Sequence, residues 1–299
     1  MCHLRCDPVA PSILQTMIEP LLSTNCLGNG FVKLIQQTGD DNFIAHCARV
    51  STDANKLAET ENKGSRQIIR YMMEHHHTSP FEQVVFWFHC RMPIFVARQI
   101  VRHRTARLNE QSGRYSELAS DYFVPVALNL QGSITKQGRK EATVDAEVSN
   151  DLVGRYNELC SAQFDLYKDL LDAGVAKEIA RVGLPVSTYT EWVWQIDLHN
   201  LFHFLKLRMD SHAQEETRVY ANAMAEMVQQ FVPEAWEAFE DFELNAKKFS
   251  AQEVDVLQSV CEMLTPEQWG QISDQFAANP KLSSTNNRRF KEFRTKLGV

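Results

Sequence analysis

Apolar positions recur along the chain at two spacings, and together these spacings predict an α+β fold. Alternation of apolar and polar residues is typical of a strand, whereas apolar residues three and four positions apart are typical of an amphipathic helix. The strands are expected at 31–37, 84–91 and 188–196, a short helix at 43–50, and longer helices at 151–173, 198–208 and 212–231. We therefore expect a central mixed or antiparallel sheet flanked by long helices.

The 84–91 strand is apolar on both faces, which indicates that both faces are covered. Pro93 follows it and is expected in the first turn of a helix, where its missing N–H costs no hydrogen bond. If that helix continues through His103, the side chains of Gln99 and His103 lie on one face, because they are four residues apart. The strand and helix together would hold this segment rigidly.

Two polar segments are expected to be loops. After Leu108 the sequence becomes polar and turns at Gly113. Residues 129–150 are rich in Gln, Gly, Lys and Ser, with the basic run 136–140 at their centre. A basic segment of this length suits a mobile lid beside a binding site and suits an ordinary solvated loop equally well.

The chain is expected to have three parts. Residues 1–30 are irregular and are interpreted as a variable lead-in, residues 31–243 as the main domain, and residues 244–299 as an appended C-terminal helical tail. Within the tail, Thr265 and Gln268 have the spacing of a capping box at a helix start. We interpret the tail as a docking surface rather than part of a catalytic site.

Composition and charge narrow the function classes. The formal net charge of −7 opposes a general nucleic-acid-binding protein. No apolar run approaches the ~18 residues that cross a membrane, and the N-terminus lacks the order of a signal peptide. The seven cysteines are scattered and odd in number, so we expect a reducing, cytoplasmic setting.

Neither of two groups of potential metal ligands is expected to bind a metal ion. Cys2-His3 and Cys6 lack a second half-site elsewhere in the sequence. The histidines at 75–77 are adjacent, and consecutive residues on a helix point about 100° apart, so their rings do not converge on one ion.

The segment 98–116 carries five arginines and no acidic residue before Glu110. A solvated helix face normally mixes both signs of charge, so this segment is better explained as a binding site. Arginine forks, the Ser112 hydroxyl and a glycine that lets backbone N–H groups approach closely are what a phosphorylated ligand requires. Ser112 is not expected to be a nucleophile, because no general base adjoins it in the sequence.

This segment resembles the signature of the flavin-dependent thymidylate synthases. The resemblance is carried by Arg102-His103-Arg104, then seven residues, then Ser112, together with Asn109, Glu110, Gly113, Arg114 and Tyr115. It is strongest in three blocks, 75–116, 176–194 and 197–221.

The resemblance implies a methyltransferase that converts dUMP to dTMP by reductive methylation. Methylenetetrahydrofolate would donate the carbon, and FAD reduced by NADPH would carry the electrons. The better-known thymidylate synthases activate the uracil ring with a cysteine, and none of the cysteines here lies in a recognisable nucleophile motif. Sites shared within a homotetramer are implied as well.

The family's functional residues transfer to matching positions of this chain. Arg208 matches the arginine that activates the uracil. The dUMP contacts would be Gln99, Arg102, Glu110, Gln111, Ser112, Gly113, Arg114 and, from a neighbouring subunit, Arg181. The FAD contacts would be His77, Ser79, Arg102, His103, Arg104, Glu110, Asp197, Leu198, His199 and His203.

The sequence also departs from the family pattern. Arg107 stands where a small residue is usual, and Glu215 stands where an aromatic is common. Two other function classes therefore stay open: a flavin-binding homologue without synthase activity, and a nucleic-acid-binding module that uses the basic cluster. Steeply salt-dependent DNA affinity without bound flavin would favour the second.

Overall fold

The computed structural model describes residues 19–50, 64–132, 138–279 and 286–298. The candidate ligands Cys2, His3 and Cys6 and the basic residue Lys136 lie outside these ranges. The chain divides after Leu244 into two compact units, Met1–Leu244 and Asn245–Val299. No helix in the described ranges is long and apolar enough to cross a membrane.

The first unit is built on an antiparallel sheet. Within the described ranges its strands follow the order β1-β2-β3-β7-β4. Their bounds are β1 Leu22–Cys26, β2 Gly30–Thr38, β3 Val85–Pro93, β4 Arg107–Glu110 and β7 Tyr189–Asp197. β5 (Asn129–Gln131) and β6 (Arg139–Thr143) pair with each other as a separate hairpin.

The helices pack around this sheet or form the second unit. In the first unit they are α1 Asp41–Val50, α2 Ser65–Glu74, α3 Ile94–Ile100, α4 Ala146–Asp172, α5 Lys177–Ala180, α6 Leu198–Arg208, α7 Glu215–Val228 and α8 Pro233–Phe239. In the second unit they are α9 Ala251–Glu262, α10 Pro266–Ala278 and α11 Asn286–Lys296. The expected α+β class is confirmed, and the sheet is antiparallel.

Alternation along β3 creates the main core. Phe86, Phe88 and Cys90 are fully buried, and they share one apolar cluster with Leu201 of α6 and Tyr220 of α7. Because side chains alternate across a strand, the intervening residues of β3 face the opposite side of the sheet. The core side is therefore covered by helices that follow β7 in the sequence.

The opposite face of β3 is only partly covered by this chain. Val85 and Trp87 are half-buried there, whereas His89 is buried and its Nε2 lies 3.1 Å from Glu191 Oε2. Within the described residues, the expectation that both faces are covered therefore holds fully for the core face and in part for the other. The helices of the main apolar cluster, α1–α3 and α6–α8, pack on the core face.

Three local expectations are corrected by the structure. Pro93 ends β3 rather than opening a helix turn, and α3 ends at Ile100, so His103 lies in the following turn. Asn109 and Glu110, at the start of the expected loop, belong to edge strand β4, and 129–143 contain the β5–β6 hairpin. These strands are short and exposed, so burial imposes no apolar alternation on them.

Other elements match their expected positions. α6 spans Leu198–Arg208 as predicted, and β2 and β7 lie within a residue or two of their predicted bounds. α4 ends just before Gly174, whose φ of 81° is favourable only for glycine. It begins earlier than predicted because Asp145 caps it, accepting hydrogen bonds from the N–H groups of Glu147 and Val148.

The second unit has its own small apolar core. Phe276 contacts Phe290 and Phe293, and Trp269 contacts Phe290, with ring centroids 5.3–6.1 Å apart. The predicted capping box at Thr265 is confirmed, with Gln268 as its partner. The boundaries predicted for the three parts of the chain remain predictions, and the structure adds strand β1 inside the expected lead-in.

We predict that Gly30→Ala destabilises the first unit by about 1–3 kcal/mol, because overpacking forces neighbours apart. A Cβ on Gly30 would collide with the Tyr220 hydroxyl and approach the Arg91 carbonyl oxygen to 2.9 Å. That hydroxyl donates a 2.9 Å hydrogen bond to the same carbonyl, so it cannot move without losing the bond. Denaturant titration would measure the free energy of unfolding.

Gly154→Ala is the matched control. Gly154 lies within helix α4, and a Cβ there meets nothing within 4 Å. Alanine should stabilise this helix by roughly 0.5–1 kcal/mol. Equal effects of the two substitutions would contradict the packing described around Gly30.

Candidate active site

Strand β7 positions the segments that carry the candidate site residues. At its start, the Ile94 N–H donates to the Thr188 carbonyl at 2.9 Å, which places the beginning of α3. Along its length it pairs with β4, from Arg107 opposite Gln195 to Glu110 opposite Trp192. At its end it leads directly into α6. The arginine segment and α6 are therefore tied to one strand.

Arg208, at the end of α6, reaches the turn that follows α3. Its Nε donates to His103 Nε2 at 3.1 Å, and its Nη2 donates to the Gln99 carbonyl oxygen at 3.2 Å. The side chain is half-buried, and within the described residues it forms no ion pair. Burial lowers the pKa of this guanidinium from its ordinary value. A partly buried cation without a counter-charge is an expected feature of an anion-binding site.

His103 supplies Arg208 with a neutral partner. Burial, together with the neighbouring Arg208 and His203, lowers the pKa of His103 to about 4. The ring also packs edge-on against Phe204, with centroids 4.9 Å apart. At neutral pH, Nε2 is therefore an acceptor for the Arg208 N–H, which requires the proton of the neutral ring to lie on Nδ1.

The side-chain amide of Gln99 is held by the first turn of α7. Gln99 Nε2 donates to Gln214 Oε1, and Thr217 Oγ1 donates to Gln99 Oε1 at 3.2 Å. Thr217 is fully buried, so this anchor is rigid. The structure thus brings together the candidate residues Gln99, His103 and Arg208, and adds two residues that the sequence reasoning did not include. We call these five residues the Arg208 cluster.

The 110–114 segment forms a second, separate group. Glu110 Oε1 accepts a 2.6 Å hydrogen bond from Thr190 Oγ1, and the Gln111 N–H donates to the Glu191 carbonyl at 2.8 Å. Beyond the strand, Ser112 Oγ accepts from the Arg114 N–H at 3.3 Å. The Ser112 hydroxyl thus caps the turn that carries Arg114, and its role in phosphate binding stays a prediction.

Arg181 belongs to this second group. Gly113 is buried, and a Cβ at its position would lie 3.2 Å from Arg181 Cδ and 3.1 Å from Leu118 Cδ1. Arg114 Nε lies 3.1 Å from Glu178 Oε2, and both side chains are more than half exposed. An exposed pair of this kind is weak, so a phosphate can displace the carboxylate. We call residues 111–114 together with Arg181 the phosphate group.

Arg102 and Arg104 lie in the exposed turn between α3 and β4. Within the described residues, neither forms an ion pair, and the same is true of Arg107. Three cations without carboxylate partners on one short segment favour an anionic ligand over a solvated surface. The added charge of Arg107 lies on β4, opposite Gln195.

The remaining predicted cofactor positions are near the start of α6. His77 and Ser79 precede the short turn Phe81–Gln83, which contacts α6, and the Leu198 N–H donates to the Val84 carbonyl at 2.8 Å. Asp197 caps α6, accepting from the Asn200 N–H at 3.0 Å. Leu198 is fully buried, so its side chain positions α6 and does not reach a ligand.

His199 and His203 occupy successive turns of α6. His199 is half-buried and His203 is exposed, and the His203 ring lies 6.0 Å from that of His103. His203 and Arg208 thus both approach His103, and His199 lies one turn before His203 on α6. A common wall formed by these side chains stays a prediction.

The Arg208 cluster and the phosphate group lie toward opposite ends of β4. The turn that carries Arg102, His103 and Arg104 precedes Arg107, and the phosphate group follows Glu110. Since a strand rises about 3.4 Å per residue, β4 alone separates these ends by roughly 10 Å. A nucleotide that spans both groups within one chain would have to run along this edge strand.

Four residues at the site were missed from the sequence. Gln214 and Thr217 hold Gln99, Thr190 holds Glu110, and Glu178 pairs with Arg114. All four lie inside the blocks of strongest resemblance: Glu178 and Thr190 in 176–194, Gln214 and Thr217 in 197–221. Gln214 also belongs to the Ser-His-Ala-Gln stretch that follows Arg208, and Glu178 to the Glu-Ile-Ala-Arg stretch. Thr190 had no signal of its own beyond its place in a strand.

Comparison with known proteins gives a consistent result. The family model described as "Thymidylate synthase complementing protein" matches residues 33–234. A flavin-dependent thymidylate synthase of Treponema denticola is 47% identical over 236 residues, covering 78% of this chain and 88% of that protein. One from Thermus thermophilus is 45% identical over 250 residues, covering 84% and 89%.

A solved structure is also similar. It is the UMP/dUMP methylase PolB of Streptomyces cacaoi bound with 5-Br dUMP, which is 33% identical, with a TM-score of 0.66 over 73% of this chain and 98% of that chain. The same enzyme bound with 5-Br UMP aligns with a TM-score of 0.64.

We predict that His103 titrates with a midpoint near pH 4, because the folded protein holds its ring neutral. Its unfolded value is about 6.5, so between pH 6.5 and 4 the unfolded chain binds the proton more readily than the folded chain. The contribution of His103 to stability should therefore fall as the pH falls through this window. NMR of labelled histidine ring carbons, assigned with His103→Gln, would measure the midpoint.

A midpoint near 6.5 would contradict the buried, Arg208-bonded ring.

Proposed function

The chain belongs to the flavin-dependent thymidylate synthase family, and we propose that the Arg208 cluster and the phosphate group together form its active site. The enzyme is a methyltransferase that converts dUMP to dTMP by reductive methylation. Methylenetetrahydrofolate is the carbon donor, and NADPH is the reductant. The observation that carries the assignment of residues is Arg208, half-buried and without a carboxylate partner within the described residues.

FAD is the cofactor of this family, and the residues present fit it. Its diphosphate needs cations or N–H donors, and the exposed Arg102 and Arg104 supply them without competing carboxylates in the described structure. We assign FAD contacts to these arginines and to His103, to His77 and Ser79 on the adjoining turn, and to His199 and His203 on α6. When bound, FAD supplies the electrons that reduce the transferred carbon to a methyl group.

Arg208 acts on the uracil ring. Carbon 5 of uracil becomes nucleophilic when negative charge develops on the ring oxygens, and a fixed guanidinium stabilises that charge. Arg208 is held by two hydrogen bonds that leave its charge uncompensated, since one acceptor is a neutral imidazole and the other a carbonyl. Because the guanidinium is planar and rigid, these two hydrogen bonds also fix the direction of its remaining N–H groups.

The phosphate group binds the other end of dUMP. Ser112 supplies a hydroxyl, Gly113 allows close backbone approach, and Arg114 exchanges Glu178 for the phosphate. Arg181 packs beside Gly113 and adds a second cation. Gln99, clamped by α7, orients the base.

We assign the two groups of one site to different subunits of a homotetramer. Large apolar side chains flank Arg181 and are exposed in the single chain: Ile179 by 60%, Val182 by 76% and Val186 by 66%. Leu159 and Leu166, seven residues apart on α4, are also exposed, and Gln163 between them donates to the Gly183 carbonyl at 3.0 Å. A contiguous apolar patch of this kind favours a subunit interface.

We further assign the enzyme to the cytoplasm. The cysteines within the described ranges are free, which supports a reducing compartment: Cys26, Cys47, Cys90, Cys160 and Cys261.

We predict that Arg208→Gln keeps bound FAD but lowers dTMP formation by about 10²-fold or more, because it removes a preorganised charge from the transition state. Wild-type protein should show flavin absorption that changes on addition of dUMP, and NADPH oxidation that requires both dUMP and methylenetetrahydrofolate. Absorbance spectra and chromatographic measurement of dTMP would test both expectations.

Lys206→Gln is the control on the same helix. Lys206 Nζ pairs with Glu243 at 2.6 Å, away from His103 and Gln99, so its loss should leave turnover near wild type. Unchanged turnover in Arg208→Gln would overturn the role of Arg208. Wild-type protein that binds FAD and dUMP without forming dTMP would instead identify a homologue without synthase activity.

We predict that two inactive variants restore activity when they assemble together. Arg114→Glu disables the phosphate group, and Arg208→Gln disables the Arg208 cluster. If each site takes one group from each of two subunits, random mixing makes about a quarter of the sites wild type. Co-expressed chains with different tags, purified through both tags, would be assayed for dTMP formation.

Oligomers that contain only one of the variants are the controls and should remain inactive. Mixed oligomers without activity would show that both groups act from the same chain.

A further inference from the structure

The β5–β6 hairpin contacts the helix turn that clamps Gln99. Arg139, the first residue of β6, extends to the N-terminus of α7, where its Nη1 donates to Glu216 Oε1 at 2.8 Å. Its Nη2 pairs with Glu215. One guanidinium thus bridges two consecutive carboxylates, a fork geometry that arginine provides and lysine does not.

Glu216 gives this contact its importance. Its side chain is only 11% exposed, and its other oxygen, Oε2, is buried without a hydrogen-bond partner among the described residues. A buried carboxylate is costly unless a cation compensates it, and Arg139 is the cation in contact. Loss of Arg139 would leave two adjacent carboxylates, one of them buried, on the first turn of α7.

The same turn holds Gln99. Residues 214 and 217, which bond the Gln99 amide, lie immediately on either side of Glu215 and Glu216. A helical turn moves as a unit, so a displacement of Glu216 displaces the clamp on Gln99. The connection runs from the hairpin through Arg139 and Glu216 to Gln99.

The hairpin is itself held at its base. The Val144 N–H donates to the Leu128 carbonyl at 2.8 Å, and the Leu128 N–H donates to Ser149 Oγ at 3.3 Å. The Gly132 N–H donates to the Gly138 carbonyl at 3.1 Å, next to Arg139. The base is therefore fixed to α4, and Arg139 fixes the far side to α7.

We propose that Arg139 is a positioning residue for the nucleotide site: by compensating Glu216, it holds the first turn of α7 so that Gln99 is oriented for dUMP. This proposal rests on the proposed function, in which Gln99 contacts dUMP. It gives Arg139, within the basic 129–150 segment, a part in nucleotide binding without a direct contact. Because coupling is reciprocal, bound dUMP in turn strengthens the hairpin anchor.

Arg139→Gln in the full-length, FAD-loaded enzyme tests the proposal. The KM and Kd for dUMP should rise about tenfold, a typical coupling between sites, while kcat at saturating dUMP and the KM for the folate stay within about twofold. The Kd would be measured from the dUMP-induced change in flavin absorbance. A merely structural role would lower the melting temperature without separating dUMP from folate.

Lys140→Gln is the matched control, because Lys140 is the next residue of the same strand, is exposed, and forms no ion pair within the described part of the chain. It should bind dUMP like wild type. Arg139→Lys should recover part of the affinity, since one ammonium can reach one carboxylate.

A double-mutant cycle tests whether the effect of Arg139 on dUMP binding passes through Glu216. If Arg139 acts through Glu216, then Arg139→Gln combined with Glu216→Gln should bind dUMP no more weakly than Arg139→Gln alone. Wild-type dUMP affinity in Arg139→Gln, or equal weakening in Lys140→Gln, would overturn the anchor. Wild-type enzyme that binds no dUMP would overturn the proposed function, and the anchor with it.

Discussion

The antiparallel pairing of β7 with β3 and β4 is the constraint on which the candidate site depends. A shift of one residue would turn every side chain of β7 to the other face, so burial of Trp192 and Trp194 beside Cys90 and Phe88 fixes the register. That register also sets where α3 begins, where β4 runs and where α6 leaves the sheet. The packing of this core therefore brings Arg208 and His103 together.

Charge compensation separates structural arginines from those of the site. Arg66 and Arg70 pair with Glu237, and Arg91 pairs with both Asp121 and Glu191, so burial of these cations is balanced inside the chain. The arginines of the site have different partners. Arg208 is held by a neutral ring and a carbonyl, and Arg114 has only an exposed carboxylate. Uncompensated cations lower the stability of the ligand-free protein, and a bound anionic ligand compensates their charge.

The fold was predictable where burial governs the sequence. Core strand β7 and helix α6 were placed within a residue or two, because one face of each must be apolar. Edge strand β4 and the β5–β6 hairpin were missed, because their residues are exposed and carry no alternation. For the site, the residue types follow from the family resemblance and their roles remain predictions, while the structure shows that α6 meets the arginine segment at His103. The clamp on Gln99 was not, since nothing in a linear pattern indicates that Thr217 faces it.

The division into two groups has an electrostatic reason, if the sites are shared as proposed. Two guanidinium groups about 5 Å apart repel by roughly 3 kcal/mol at an effective dielectric constant near 20. Keeping the phosphate group and the Arg208 cluster at opposite ends of β4 avoids this repulsion within the free chain. Bringing the groups of two chains together would restore it, and a nucleotide phosphate and an electron-rich uracil would then offset it. Assembly, nucleotide binding and activation of Arg208 would thus favour one another.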